Sequence, residues 1–152
     1  MKKKIIVLIG MILISILVFS STANAQREGL GAGVTIGVPT GISIKYWINP
    51  KNAWDAVFAW DLDKNNFYFH FDYLWHDFTR FSEKNRALYH GVGSKFKSEE
   101  DNNEFGLRGV IGLDYFYHKS LFELFVELSP GILLAPKTKF EVDFGLGLRY
   151  FF

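Results

Sequence analysis

The chain has 152 residues, enough for one domain. It has no cysteine, which excludes a disulfide framework, a thiolate metal site and a lipid-modified N-terminal cysteine. The formal net charge of +1 is produced by three N-terminal lysines; from residue 26 onward 14 Lys or Arg face 16 Asp or Glu, a net of −2, and no nucleic-acid footprint remains.

Residues 1–25 read as a cleavable signal peptide. Met1-Lys2-Lys3-Lys4 is a charged n-region and Ile5 to Phe19 an apolar run. Ala23 and Ala25 put small residues where a peptidase cutting before Gln26 needs them. The run of 15 is shorter than the roughly 20 residues a spanning helix requires. Residues 26–152 are then a single domain.

That domain alternates with a period of two, the signature of strands whose neighbouring side chains point to opposite faces. Leu30, Ala32, Val34 and Ile36 alternate with Gly31, Gly33 and Thr35. Ile42, Ile44 and Tyr46 alternate with Ser43 and Lys45. Trp54, Ala56, Phe58 and Trp60 alternate with Asp55, Val57 and Ala59. Phe67, Phe69, Phe71, Tyr73 and Trp75 alternate with Tyr68, His70, Asp72 and Leu74. The fifth segment is less clean, since His90 and Ser94 share a face with Leu88, Val92 and Phe96. Phe105, Leu107, Ile111, Leu113 and Tyr115 alternate with Gly106, Arg108, Val110, Gly112 and Asp114. Phe122, Leu124, Val126 and Leu128 alternate with Glu123, Phe125 and Glu127. In the last segment Phe140, Val142, Phe144, Leu146, Leu148, Tyr150 and Phe152 oppose Lys139, Glu141, Asp143, Gly145, Gly147, Arg149 and Phe151.

Turn signals fall at 38–41, 49–52, 61–66, 77–86, 97–103, 118–120 and 136–138, which predicts an all-β, eight-stranded antiparallel up-and-down barrel. Pro130 lacks a backbone donor and predicts a bulge or an early end of pairing in strand seven. Gly29-x-Gly31-x-Gly33 has no following helix, so it reads as strand rather than phosphate loop.

Alternation does not say which face is inside, but size does. Eight strands enclose room for side chains and little more, and the apolar face carries Phe, Trp or Tyr on nearly every strand. Those rings would overfill the interior, so the barrel reads as a transmembrane one, apolar outside and polar inside. The expected interior network is Lys45, Asp55, His70, Asp72, Arg108, Asp114, Glu123, Glu127, Glu141, Asp143 and Arg149. With both termini at one end, that end gathers Tyr46, Trp54, Tyr73, Trp75, Tyr115, Phe122, Tyr150 and Phe152. The other gathers Trp60, Phe67, Phe96, Phe105 and Phe140. Two aromatic rings bounding an aliphatic band suit the two interfaces of a bilayer.

Four stretches carry a resemblance: Gly37-Val38-Pro39-Thr40-Gly41 followed by Lys45-Tyr46-Trp47; Asp72-Tyr73-Leu74-Trp75-His76; Leu113-Asp114-Tyr115; and Gly145 to Phe152. The chain resembles the small eight-stranded outer-membrane barrels of the OmpA and OmpX type, and more closely a bacterial family of such barrels without an established activity. Leu146, Leu148, Tyr150 and the final Phe152 resemble the C-terminal signal by which such barrels are recognised for insertion. The resemblance implies an outer-membrane location, with membrane lipids, the barrel-assembly machinery and periplasmic chaperones as partners, and a monomer. The expected role is structural or surface-interaction-based, and eight strands leave no aqueous lumen for a pore. The far-end connections are all short and the longest, His76 to Arg86, lies at the terminal end, which argues against a role needing large exposed loops.

Chemistry-bearing residues are sparse. His70, Asp72 and His90 on adjacent strands are the candidates for a lipid-modifying site, but they lack a defined nucleophile and read as interior polar groups. His76 and His118 sit at strand ends and read as interfacial. The spacing matches no metal-ligand motif, so neither metal nor cofactor is expected and no catalysis. Glu99, Glu100, Asp101 and Glu104, beside Lys95 and Lys97, read as a solvated hairpin tip. The competing reading is a soluble periplasmic barrel that binds an apolar ligand with its aromatics turned inward.

Overall fold

A computed structural model describes residues 28–61, 65–100, 102–117 and 121–152. The expected signal peptide, Asp101 and His118 lie outside these residues. Eight strands follow in order: β1 (Gly29–Gly37), β2 (Gly41–Asn49), β3 (Asn52–Asp61), β4 (Asn66–Asp77), β5 (Arg86–Glu99), β6 (Asn102–Tyr117), β7 (Phe122–Ala135) and β8 (Lys139–Phe151). Each pairs antiparallel with the next, and β1 pairs with β8 from Gly31↔Phe151 to Gly37↔Gly145, closing the barrel. Closure leaves no unpaired sheet edge.

Alternation fixes the faces. Arg149, Lys45 and Lys95 are among the largest fully buried side chains, while Val34, Ile36, Leu107, Ile111 and Phe140 are exposed. Among the described residues, the outward strand positions carry two ionised side chains, Asp77 and Arg86, both at strand ends of the terminal end.

Two expectations are corrected. Strand β7 does not end or bulge at Pro130: it runs on to Ala135, and Pro130 still pairs with Val142 of β8. The missing donor shows on the other side, where β6–β7 pairing lapses between Arg108↔Gly131 and Ile111↔Leu128 without a change of register; the register shift lies at Phe105/Gly106. The turn at 97–103 is also tighter than its polarity suggested. β5 and β6 stay paired to Glu99↔Asn102, and Glu100 (φ 48°) turns the chain. A charged hairpin that rises past an apolar belt keeps its ladder and needs no loop.

The outward aromatics gather at both ends. Trp54 and Tyr73 are 4.7 Å apart between ring centroids, Phe122 and Tyr150 5.1 Å, Tyr150 and Phe152 5.4 Å, and Trp60 and Phe67 5.8 Å. The band between them is not aliphatic throughout. On β3–β4, Trp54–Phe71 (4.8 Å) and Phe58–Phe69 (4.8 Å) join the two ends into one aromatic stripe.

Candidate functional site

The interior holds three tiers of charge above an apolar plug. The plug lies at the terminal end, where Trp47, Ala53, Ala87, Phe116 and Phe151 are buried together and Phe78, from the β4–β5 connection, packs on them. Trp47 is the hub, 6.2 Å from Phe116 and 6.5 Å from Phe151 between ring centroids.

The first tier joins five strands. Lys45 donates to Asp114 Oδ2 at 2.8 Å and to Glu123 Oε1. Arg149 donates from Nε to Ser43 Oγ at 2.7 Å, from Nη1 to Glu123 Oε2 at 2.8 Å, and from Nη2 to Asp55 Oδ1. Its guanidinium also lies 3.7 Å from the centroid of the Phe125 ring. A planar fork that satisfies two carboxylates and stacks on a ring is the kind of burial arginine tolerates.

Arg108 organises the second tier. Its Nη2 donates to Glu127 Oε1 at 3.0 Å and to Ser129 Oγ, and its Nη1 donates to Tyr68 Oη at 3.1 Å. Its Nε lies 3.4 Å from Asp72 Oδ1. Tyr89 donates to Glu127 Oε2 at 3.1 Å. Space comes from small partners: a Cβ on Gly93, opposite Asp72, would sit 2.0 Å from Asp72 Oδ1, and one on Gly112 would sit 2.2 Å from Tyr89 Cζ. In the third tier, towards the far end, Lys95 donates to Glu141 Oε2 at 2.8 Å and Asp143 Oδ2 at 3.1 Å, and Lys97 donates to Glu141 Oε2 at 2.6 Å.

Ten of the eleven residues read as the interior network are buried, and Glu141 is half-buried nearer the mouth. Their alternation partners Tyr46, Trp54, Trp60, Phe67, Tyr73, Trp75, Tyr115 and Tyr150 lie on the outward face, as do Leu146 and Leu148.

The His70–Asp72–His90 grouping is corrected. His90 is exposed on the outward face, stacked on Trp75 at 5.5 Å, across the wall from His70. His90 had already fallen on the apolar face with Leu88 and Val92, and a strand cannot turn one residue of that face inward. His76 is corrected too. It is buried, with Nε2 3.1 Å from Asp114 Oδ2 and its ring 4.4 Å from Trp47, so it belongs to the interior.

Sequence reasoning missed Lys95 as an interior ligand and the rings Trp47, Tyr68 and Tyr89 as interior filling. Lys95 was grouped with the charged hairpin, yet it shares a face with Gly91 and Gly93, opposite Val92 and Phe96. That parity was the available signal.

No protein-family model and no curated protein matches the chain. Among solved structures it is similar to the N-terminal β-barrel domain of Pseudomonas aeruginosa OprF, with a TM-score of 0.60 and 18% identity over 81% of this chain and 95% of that one. At that identity the likeness shows the fold.

Proposed function

We propose that this chain is an integral outer-membrane barrel with a structural or surface-interaction role and no aqueous pore. One observation carries the reading: the faces are inverted relative to a soluble protein. Arg149, Lys45 and Lys95 are buried, whereas 26 large apolar side chains of the described residues are exposed. Soluble monomers rarely expose contiguous apolar patches larger than roughly 300–600 Å², and this belt runs round all eight strands. The same inversion opposes a soluble barrel with its aromatics turned inward. Similarity to the OprF barrel domain supports the outer-membrane reading at the level of fold.

The packed interior supports a barrel that does not conduct. Arginine, lysine and aromatic side chains fill it, and the plug of Trp47, Phe116 and Phe151 closes the terminal end. Residues 1–25 serve as the export signal, and Leu146, Leu148, Tyr150 and Phe152 as the strand the barrel-assembly machinery engages after chaperoned passage. The termini then face the periplasm. The protein works as a monomer among outer-membrane lipids, in the manner of the OmpA and OmpX class, without catalysis.

Fractionation tests this. Cells expressing the full chain are lysed, their membranes washed with carbonate, and boiled and unboiled samples compared on a denaturing gel. Retention in the outer-membrane fraction with faster migration before boiling is the expected result. Recovery in the soluble periplasm would overturn the proposal.

A further inference from the structure

Between the first and second tiers, three polar atoms converge without protein hydrogen-bond partners: Asp55 Oδ2, His70 Nε2 and Asp72 Oδ2. All three residues are buried to within 1% of full burial. Nε2 lies 3.7 Å from Asp55 Oδ2 and 3.5 Å from Asp72 Oδ2, and each residue offers a ligand atom within 4.8 Å of the other two. These separations are too long for hydrogen bonds. They approximate the edges of a tetrahedron, about 3.4 Å, around an ion bound at about 2.0–2.1 Å.

Register makes the convergence. Asp55 of β3 sits directly opposite Asp72 of β4, and His70 precedes Asp72 by two residues on the same face. Like charges directly opposite one another on neighbouring strands are destabilising, so this pair calls for a cation. Arg149 takes Asp55 Oδ1 and Arg108 approaches Asp72 Oδ1, which leaves both Oδ2 atoms turned toward His70. Charge balance agrees. Among the described residues the buried acids are Asp55, Asp72, Asp114, Glu123, Glu127 and Asp143 and the buried cations Lys45, Lys95, Arg108 and Arg149, which with His70 and His76 neutral leaves an excess of two negative charges.

We infer that Asp55, His70 and Asp72 form a divalent transition-metal site inside the barrel, with Zn²⁺ as the best-fitting ion. An imidazole with two carboxylates and no sulfur suits a first-row divalent ion and disfavours Ca²⁺, which takes six to eight oxygens. With an ion on Nε2, the ring proton sits on Nδ1 and is donated to Tyr68 Oη, 3.3 Å away, whose own hydroxyl donates to Asp143 Oδ2 at 3.1 Å. Such outer contacts orient a ligating histidine. Arg108 Nη1, which also reaches Nδ1, then gives up that contact and keeps Tyr68, while Nη2 keeps Glu127 and Ser129. Linear spacing hides the site because its ligands come from two strands. The inference rests on the barrel interior and is independent of the membrane reading.

The test uses the full chain, extracted in detergent, unfolded in urea, refolded with Zn²⁺ or Co²⁺ and dialysed free of loose metal. The expected result is about one ion retained per chain, with the visible bands of a low-coordinate cobalt centre. His70→Gln loses the metal, and His76→Gln, at the other buried histidine among the described residues, keeps it. Tyr68→Phe preserves all three ligands and binds at least about tenfold more weakly. Wild-type protein that retains no stoichiometric metal would overturn the inference, as would equal retention by His70→Gln. If His70→Gln does not fold, Tyr68→Phe decides, and unchanged affinity in that variant overturns the site.

Discussion

The plug and the charged tiers fill the same barrel by opposite physics. Around Trp47, rings and alanines meet as they would in any apolar core, and the contact is non-directional. A few residues further in, each charge is held by named partners, and Arg149 alone serves Ser43, Glu123 and Asp55. The plug therefore tolerates a change of shape if volume is kept. The tiers tolerate no single removal, because a buried charge left without its partner costs far more than the pair contributes.

Six substitutions, read as urea midpoints of the detergent-folded protein, set the two regions against each other. The largest effect is expected for Arg149→Ala, about 3–5 kcal/mol, because Glu123 and Asp55 lose their donor. Arg108→Ala follows the same logic at Glu127 and Asp72. In the plug, Phe116→Ala costs about 3 kcal/mol through the cavity it leaves. Phe116→Leu costs less than about 1.5 kcal/mol. Arg149→Met, which keeps bulk but not charge, should lose about as much as Arg149→Ala; a small loss there would erase the distinction between the regions. Lys139→Ala is the smallest, with no detectable change, because that side chain is 68% exposed and its contact with Glu141 is long at 3.5 Å.

Most of the fold was legible because a two-residue period leaves no freedom once one face is assigned. Phe140 to Phe152 fixed β8, and the same parity put Asp55, Asp72, Arg108 and Arg149 inside. Parity also contained what was missed. Lys95 lies on the face of Gly91 and Gly93, and His90 on that of Leu88. Hydrophilicity drew attention away from both facts, since a lysine near an acidic hairpin looks solvated and a histidine looks functional. Pro130 misled differently. A missing donor breaks one ladder, and the strand keeps its other neighbour.

The Asp55–His70–Asp72 convergence was derivable in part. A β3–β4 hairpin closing on Asp61↔Asn66 forces Asp55 opposite Asp72. What sequence could not supply was side-chain direction, because which carboxylate oxygen stays free depends on where Arg108 and Arg149 reach from β6 and β8. The plug was hidden for a similar reason. Trp47, Phe116 and Phe151 come from distant strands, and closure of β1 on β8 brings them together.

The inverted arrangement of faces is the central claim, and its most direct test is tryptophan quenching by lipids brominated near the headgroup. Single-tryptophan proteins retaining Trp54, Trp60, Trp75 or Trp47 are folded into vesicles of these lipids. Trp54, Trp60 and Trp75, which lie on the outward face, should be quenched, while Trp47, 3% exposed in the plug, should not. Quenching of Trp47 alone, or of none of the four, would contradict the account.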